Sequence, residues 1–385
     1  MGSDQAPESK PLKGGAAGRS FPARAGKFFA ALVIFLLVLE ILLHLGCRLV
    51  KGCWYPALRA REYPPLYRKD SEFRWRVLPG LHIPFVTREF STEIITESSG
   101  LRVIGGEGSS SPVLVIGDSF SFGWGVNAGD SFPFLLMKGM ARPVISAGVP
   151  GFGLEQDERM LGTMLATVKP SLVIVETWPV DWDILNADNM VEVDHYLVTK
   201  STVEHTPRLL VSARIALMRY SPLFGVVDTA GKVIKAMGGK KELLGGYGLD
   251  AFISGEQPEL IRDARRRAFQ ALRNMHSQAR AHGIPLVVVV VPSSFQIYGG
   301  DLPQWTRAYG ISGAPDLERP NRELAAFAEK EGIVLVDLLE AFKASREGGR
   351  LYYVMDPHWN KKGHALAAEV IEKFIAGKGL VKAPR

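Results

Sequence analysis

The run VLVIGDSFSFGWGV, residues 113–126, decides the fold. Its opening residues are apolar and mostly β-branched, so both faces of a strand built from them want burial, as in the middle of a parallel sheet. Gly117 and Asp118 end the apolar run, and Ser119 follows where the strand gives out. Open parallel sheets gather reactive groups at the carboxyl ends of their strands, which presents Ser119 at the rim.

Outward from this run, the same pattern recurs. SLVIVE (171–176), PLVVVVV (285–291) and IVLVD (333–337) read as further buried strands, with a short one at PVIS (143–146). Helical stretches fall between them at about 131–140, 155–168, 258–282 and 320–331, the third stopping at Gly283, a natural C-terminal residue for a helix. Strand and helix in alternation predict an α/β fold, a doubly wound three-layer sandwich around a central parallel sheet. Residues 187–257 break the rhythm. They hold an amphipathic stretch, RLLVSARIALMRY, and a Gly/Lys-rich one, GKVIKAMGGKKELLGGYG. This insertion reads either as a cover or partner surface or as a tolerated surface excursion.

Toward the N-terminus, residues 28–50 read FFAALVIFLLVLEILLHLGCRLV, long enough to cross a hydrocarbon layer of ~30 Å. A polar tail, 1–27, precedes it with Lys10, Lys13, Arg19, Arg24 and Lys27. The expectation is one transmembrane signal-anchor, since no small-x-small cleavage site follows cleanly. Basic residues flank both ends, so charge does not orient it. A short tail before a large domain makes export of the domain the usual outcome, to the periplasm or cell exterior. Glu40, His44 and Arg48 are spaced four apart and form one polar stripe. They are expected to snorkel at the interface, the alternative being that they face a partner. Residues 51–111, rich in proline and charge and ending in GGEGSSS, read as a stalk and lead-in without a core of their own. The main domain is then 112–378.

Composition narrows the chemistry. A net charge of +6 is spread along 385 residues with no basic block, so nucleic acid is not an expected partner. The only cysteines, Cys47 and Cys53, lie at the end of the apolar segment, which leaves no disulfide framework and no cysteine nucleophile in the domain. No phosphate-loop motif or metal-ligand spacing occurs, and neither a cofactor nor a metal is expected. A serine hydroxyl needs a base. The histidine with an adjacent carboxylate in a suitable setting is in YYVMDPHWNKKGHALAAEVIEKF (352–374), where Asp356 and His358 precede a helix with Asn360 at its N-cap. That spacing lets an aspartate orient an imidazole whose other nitrogen faces the serine.

Taken together, these blocks resemble the SGNH/GDSL hydrolase superfamily, in the branch of exported, membrane-anchored proteins that includes alginate-acetylation-like O-acyltransferases and esterases. The resemblance spans roughly 94–377. IITESSGLR (94–102) is similar to the family's lead-in, and VLVIGDSFSFGWGV to its nucleophile block. ISAGVPGFG (145–153) resembles the second block, which implies that the backbone N–H of Gly151 joins that of Ser119 in the oxyanion hole. DPHWNKKGH resembles the last block and implies roles for Asp356 and His358. The third block departs. In VIVETWPVDWDILN (173–186), aligning Asp181 with the family's aspartate puts Val180 where an asparagine donor belongs. Loss of one such donor typically costs about 10²–10³ in turnover. Trp178, Trp182 and Asn186 stand nearby in the sequence. The resemblance implies a serine-dependent acyl-ester hydrolase or O-acyltransferase acting on an acylated glycan outside the cytoplasm. The competing expectation is a catalytically weak SGNH domain that binds glycan or acts as a scaffold in an envelope-polysaccharide complex, docked through the anchor.

Overall fold

The computed structural model describes residues 21–105, 111–178, 184–185, 187–238, 258–301 and 316–381. Helix α1 (Phe21–Lys51) leads into a short α2 (Tyr55–Glu62) and two antiparallel hairpins, β1 (Tyr67–Asp70) with β2 (Arg74–Val77), and β3 (His82–Val86) with β4 (Ser91–Ile95). The α/β part follows: β5 (Val113–Ile116), α3 (Ser119–Phe122), α4 (Phe132–Gly139), β6 (Val144–Ser146), α5 (Leu154–Thr167) and β7 (Leu172–Thr177). Next come a hairpin of β8 (Met190–Val193) and β9 (Tyr196–Thr199), and helices α6 (Lys200–His205), α7 (Arg208–Tyr220) and α8 (Pro222–Gly238). The chain closes with α9 (Glu259–Ala281), β10 (Leu286–Val290), α10 (Ser294–Ile297), α11 (Arg319–Glu331), β11 (Val334–Asp337), α12 (Leu339–Ser345) and α13 (Lys361–Gly377).

Among the described residues, five strands form one parallel sheet in the order β11-β10-β7-β5-β6. Its interior strands are buried at every position, as their unbroken apolar runs require. Alternation sorts these side chains into two cores. Leu114, Ile116, Val173, Val175, Val288 and Val290 join one; Val113, Val115, Leu172, Ile174, Val287 and Val289 join the other. The first core is covered by α5, α9 and α11. Helix α9 contributes Ile261, Ala264, Ala268, Leu272, Met275 and Ala279, a stripe at helical spacing. The second core is covered by α4 and α13, with Phe132, Leu136, Ala367 and Ile371. The result is the three-layer α/β sandwich expected, and the strand and helix positions agree to within a residue or two.

Two regions differ from the sequence reading. Residues 51–111 were expected to behave as a stalk, yet Leu66, Phe73, Trp75, Phe85, Phe90 and Ile94 are buried in the first core. Trp75 is fully covered, its indole N–H donates to the Pro150 carbonyl, and Phe73 stacks on Phe152. Short strands alternate too briefly to give a periodic signal, so proline and charge dominate the composition while the large side chains pair at a distance. The polar stripe of α1 also differs. Glu40 accepts hydrogen bonds from the Ser221 hydroxyl and the Leu223 N–H, each 3.1 Å long, and His44 lies 3.6 Å from its carboxylate. Two of the stripe's three residues therefore meet a partner within the chain, while Arg48 donates to the nearby Gly52 carbonyl.

Candidate active site

Strand β5 delivers Ser119 to the first turn of α3, where it is 9% exposed. The turn is held from several sides. Asp118 caps α3 by accepting the Phe120 N–H at 2.8 Å. Behind it, Glu176 at the end of β7 accepts from the Asp118 N–H, the Ser121 N–H and the Ser121 hydroxyl, at 3.2, 3.2 and 3.0 Å. Gly117 makes that approach possible. A β-carbon there would stand 2.5 Å from the Glu176 carboxylate and 2.9 Å from its carbonyl, and φ is +155°. Burial pushes the Asp118 carboxyl above its ordinary value, against the pull of its bonds to Phe120 and of His358.

The segment after α3 is bound to the lead-in by Arg102. Its guanidinium donates to the carbonyls of Phe122 (2.9 Å), Gly123 (2.6 Å), Val126 (2.7 Å) and Glu93 (3.0 Å). It is 2% exposed, and burial lowers it to about 10. The glycine-rich turn of the nucleophile block thus depends on a charge from the lead-in.

The far end of the chain comes back to this turn. The Ser119 hydroxyl lies 2.6 Å from His358 Nε2, and His358 Nδ1 lies 2.5 Å from Asp356 Oδ1. With Nδ1 protonated, the ring donates to the aspartate and accepts from the serine. The same aspartate oxygen accepts the His358 backbone N–H at 3.0 Å. Burial alone would raise the Asp356 carboxyl. The His358 imidazole beside it and the hydrogen bonds it makes, joined by the Trp124 indole N–H, hold it below the usual carboxylate range. Trp124 also lies beside the imidazole, ring centres 5.8 Å apart, and Phe120 is on another side at 5.0 Å.

Local contacts explain why the 353–358 loop takes this shape. Tyr353 N–H donates to the His358 carbonyl at 3.1 Å, and the Tyr353 hydroxyl reaches the Gly125 carbonyl at 2.7 Å. The Glu89 carboxylate accepts the successive backbone N–H groups of Val354, Met355 and Asp356, at 2.6 to 3.0 Å. Asn360 caps α13 through the N–H groups of Lys362 and Gly363, as its place in the sequence suggests.

Ser119, Asp356 and His358 are thus brought together from 239 residues apart. Gly151 lies in the turn after β6 with φ +85°, and the direction of its missing side chain is filled by Leu197 and Trp75. In the same block, Gly148 packs on α3 itself, where a β-carbon would meet the Phe122 N at 2.5 Å. Val180, Asp181, Trp182 and Asn186 lie outside the described residues. Sequence reasoning did not single out Glu89, Arg102, Trp124 or Glu176. Only Glu176 left a signal, a lone carboxylate ending an otherwise apolar strand.

A cleft of about 690 Å³ opens beside the triad. It runs from Asp356, Trp124 and Glu89 to Arg59 and Tyr63 at the end of α2, and Tyr196 and Leu197 of the 187–257 insertion form part of its wall.

Comparison with known proteins adds the following. Residues 256–384 match the family model described as the SGNH hydrolase-like domain of the acetyltransferase AlgX. The matched span contains Asp356 and His358 and stops short of Ser119. No curated protein matches the sequence. Similar solved structures include TesA, at 17% identity over 70% of this chain and 100% of that one, with a TM-score of 0.39. A putative acylhydrolase from Bacteroides fragilis is 15% identical over 72% and 94% of the two chains, with a TM-score of 0.39. A lipase/acylhydrolase from Enterococcus faecalis is 14% identical over 71% and 99%, also with a TM-score of 0.39. By this match the C-terminal third of the chain, residues 256–384, is similar to an SGNH hydrolase-like domain of the AlgX type.

Proposed function

We propose that this chain is a membrane-tethered serine enzyme that transfers or hydrolyses an acyl group, acetyl by preference, carried on a glycan outside the cytoplasm. One observation carries the reading: a serine hydroxyl, both imidazole nitrogens and a carboxylate form one hydrogen-bonded line, at 2.6 and 2.5 Å. In this reading Ser119 Oγ attacks the acyl carbonyl while His358 Nε2 takes its proton. Asp356 holds the tautomer and offsets the imidazolium charge. The N–H groups of Ser119 and Gly151 stabilise the oxyanion. Collapse breaks the ester bond, His358 returns the proton to the departing alcohol oxygen, and an acyl-enzyme remains. Water or a sugar hydroxyl, deprotonated by His358, then takes the acyl group and frees Ser119.

Several features support a glycan. The cleft beside the triad carries Tyr63, Tyr67, Trp124 and Tyr196 among Arg88, Glu62 and Glu89, a mixture of ring faces with a charged donor and charged acceptors that suits a sugar. The AlgX-type match names an acetyltransferase. An apolar helix at the N-terminus fits a tether.

The experiment is labelling of the full-length protein in detergent with a fluorophosphonate probe. Ser119→Ala should abolish labelling and acetyl release from an acetylated oligosaccharide; labelling that survives removes Ser119 from the role. The second reading, a glycan-binding scaffold, is favoured by Val180 in the place of an asparagine donor. It predicts oligosaccharide binding by the wild-type protein with neither labelling nor acetyl release.

A further inference from the structure

Helices α7 (Arg208–Tyr220) and α8 (Pro222–Gly238) meet at a bend of 112° at Ser221. The corner rests on α1. Glu40 accepts the Ser221 hydroxyl and the Leu223 N–H at 3.1 Å each. Glu40 stands ten residues before Val50, about 15 Å into the apolar stretch at ~1.5 Å rise per residue. On α1 the half-covered residues are Leu39, Glu40, Leu43, His44, Gly46 and Cys47, one helical stripe, while its remaining faces are open. The elements packed on that stripe are α2 and α8.

The start of α8 leaves no donor for water. Helices ordinarily begin with four N–H groups that lack an intrahelical partner. Here the first position is Pro222, which has none. Leu223 donates to Glu40, Phe224 to the Ser221 hydroxyl at 3.0 Å, and Gly225 to the Ser221 carbonyl at 3.0 Å. Such full internal satisfaction is the condition that hydrocarbon imposes on a backbone. The charges facing each other across the hairpin are paired too, Arg214 with Asp228 at 2.5 Å. The outward surface is mostly apolar: Leu209, Ala213, Ala216, Leu217 and Tyr220 form an exposed stripe along α7, and Val226, Val227 and Ala230 one on α8, with Arg208, Arg214 and Thr229 exposed beside them.

We infer that α7 and α8 form a re-entrant wedge that enters the same bilayer as α1, on the side facing the α/β domain, with lipid acyl chains as the occupant of its exposed apolar stripes. Lipid is favoured as occupant because the stripes continue the open surface of α1, and because the corner reaches α1 within its apolar length. The wedge also fixes the domain's orientation. Helix α7 packs on α2, and α2 supplies Arg59 and Glu62 to the cleft wall, with Tyr63 just after it, so the cleft is held near the membrane surface. The inference rests on α1 spanning a bilayer and is independent of the triad's activity.

The test uses the full-length chain, with Cys47→Ala and Cys53→Ala, in phosphatidylethanolamine–phosphatidylglycerol vesicles. Single cysteines at Leu217→Cys and Val226→Cys carry an environment-sensitive fluorophore, with Phe35→Cys on α1 as the lipid reference and Lys330→Cys on α11 as the aqueous one. The expected result is a loss of fluorescence at 217 and 226 with doxyl-labelled phospholipid that matches the reference on α1, and protection from aqueous iodide. Iodide quenching at 217 and 226, with the α1 site still quenched by lipid, overturns the wedge and leaves the anchor standing. Protection from both quenchers also overturns it and assigns the stripes to protein, a second copy or a partner. Absence of lipid quenching at position 35 overturns the anchor and the wedge together.

Discussion

His364 lies fully buried between Phe132 and Trp359, and its Nδ1 accepts the Phe132 N–H at 3.3 Å. Burial, with the Arg102 guanidinium and His358 nearby, lowers it to about 3. In the unfolded chain an ordinary histidine takes a proton below about pH 6.5. Between that pH and about 3, the unfolded state therefore binds one more proton than the folded state, and stability falls as pH falls. From this group alone, the unfolding free energy should drop by about 1–2 kcal/mol between pH 7 and pH 5. Urea titrations at the two pH values measure it, and His364→Asn should show a smaller drop whatever its stability at pH 7. An equal drop in the variant removes His364 as the cause. In the sequence it is a histidine in the first turn of a helix. Its depth did not show, because that depends on Phe132 arriving from 232 residues away.

At the scale of elements, the loop carrying Asp356 and His358 is shaped by a residue from the lead-in. Three backbone N–H groups on one Glu89 carboxylate are charge-assisted bonds, stronger than neutral ones. They set the height of the loop against α3, and the triad needs a line of contacts accurate to a fraction of an ångström. Glu89→Ala should therefore slow probe labelling and acetyl release by roughly 10-fold or more, with kcat falling more than KM rises. Glu89→Gln, which keeps an acceptor oxygen, should recover part of the rate. An alanine variant with unchanged labelling would show that the loop holds its shape without Glu89. The triad residues were legible because each sits in a short block with its own signature. Glu89 was not, since an isolated glutamate between Arg88 and Phe90 has no distinguishing pattern and acquires its role only when two segments meet.

At the scale of the whole molecule, the lead-in and the α/β part share one core. Phe73, Trp75, Phe85 and Phe90 bury their side chains against it, and each large apolar side chain contributes about 1.5–3 kcal/mol on burial. Arg102 adds four bonds to the turn behind Ser119. A chain cut to begin at residue 112 should therefore lose cooperative thermal unfolding, whereas one beginning at Gly52 keeps it in detergent. A sharp transition in the shorter chain would show that the α/β part folds without the lead-in.

Sequence alone determined what is carried by near neighbours. Unbroken β-branched runs fixed the parallel sheet, helical stripes fixed its flanking layers, and length with apolarity marked α1. The blocks around Ser119 and Asp356–His358 were recognisable because their chemistry is written in consecutive residues. Tertiary structure alone decided the rest: that Glu176, Arg102 and Glu89 brace the site, that the proline-rich lead-in is part of the core, and that Glu40 meets the α7–α8 corner instead of reaching for water. Each of these is a hydrogen bond or a burial between segments distant in the chain, and a group's need for a partner is visible in sequence while the identity of that partner is not.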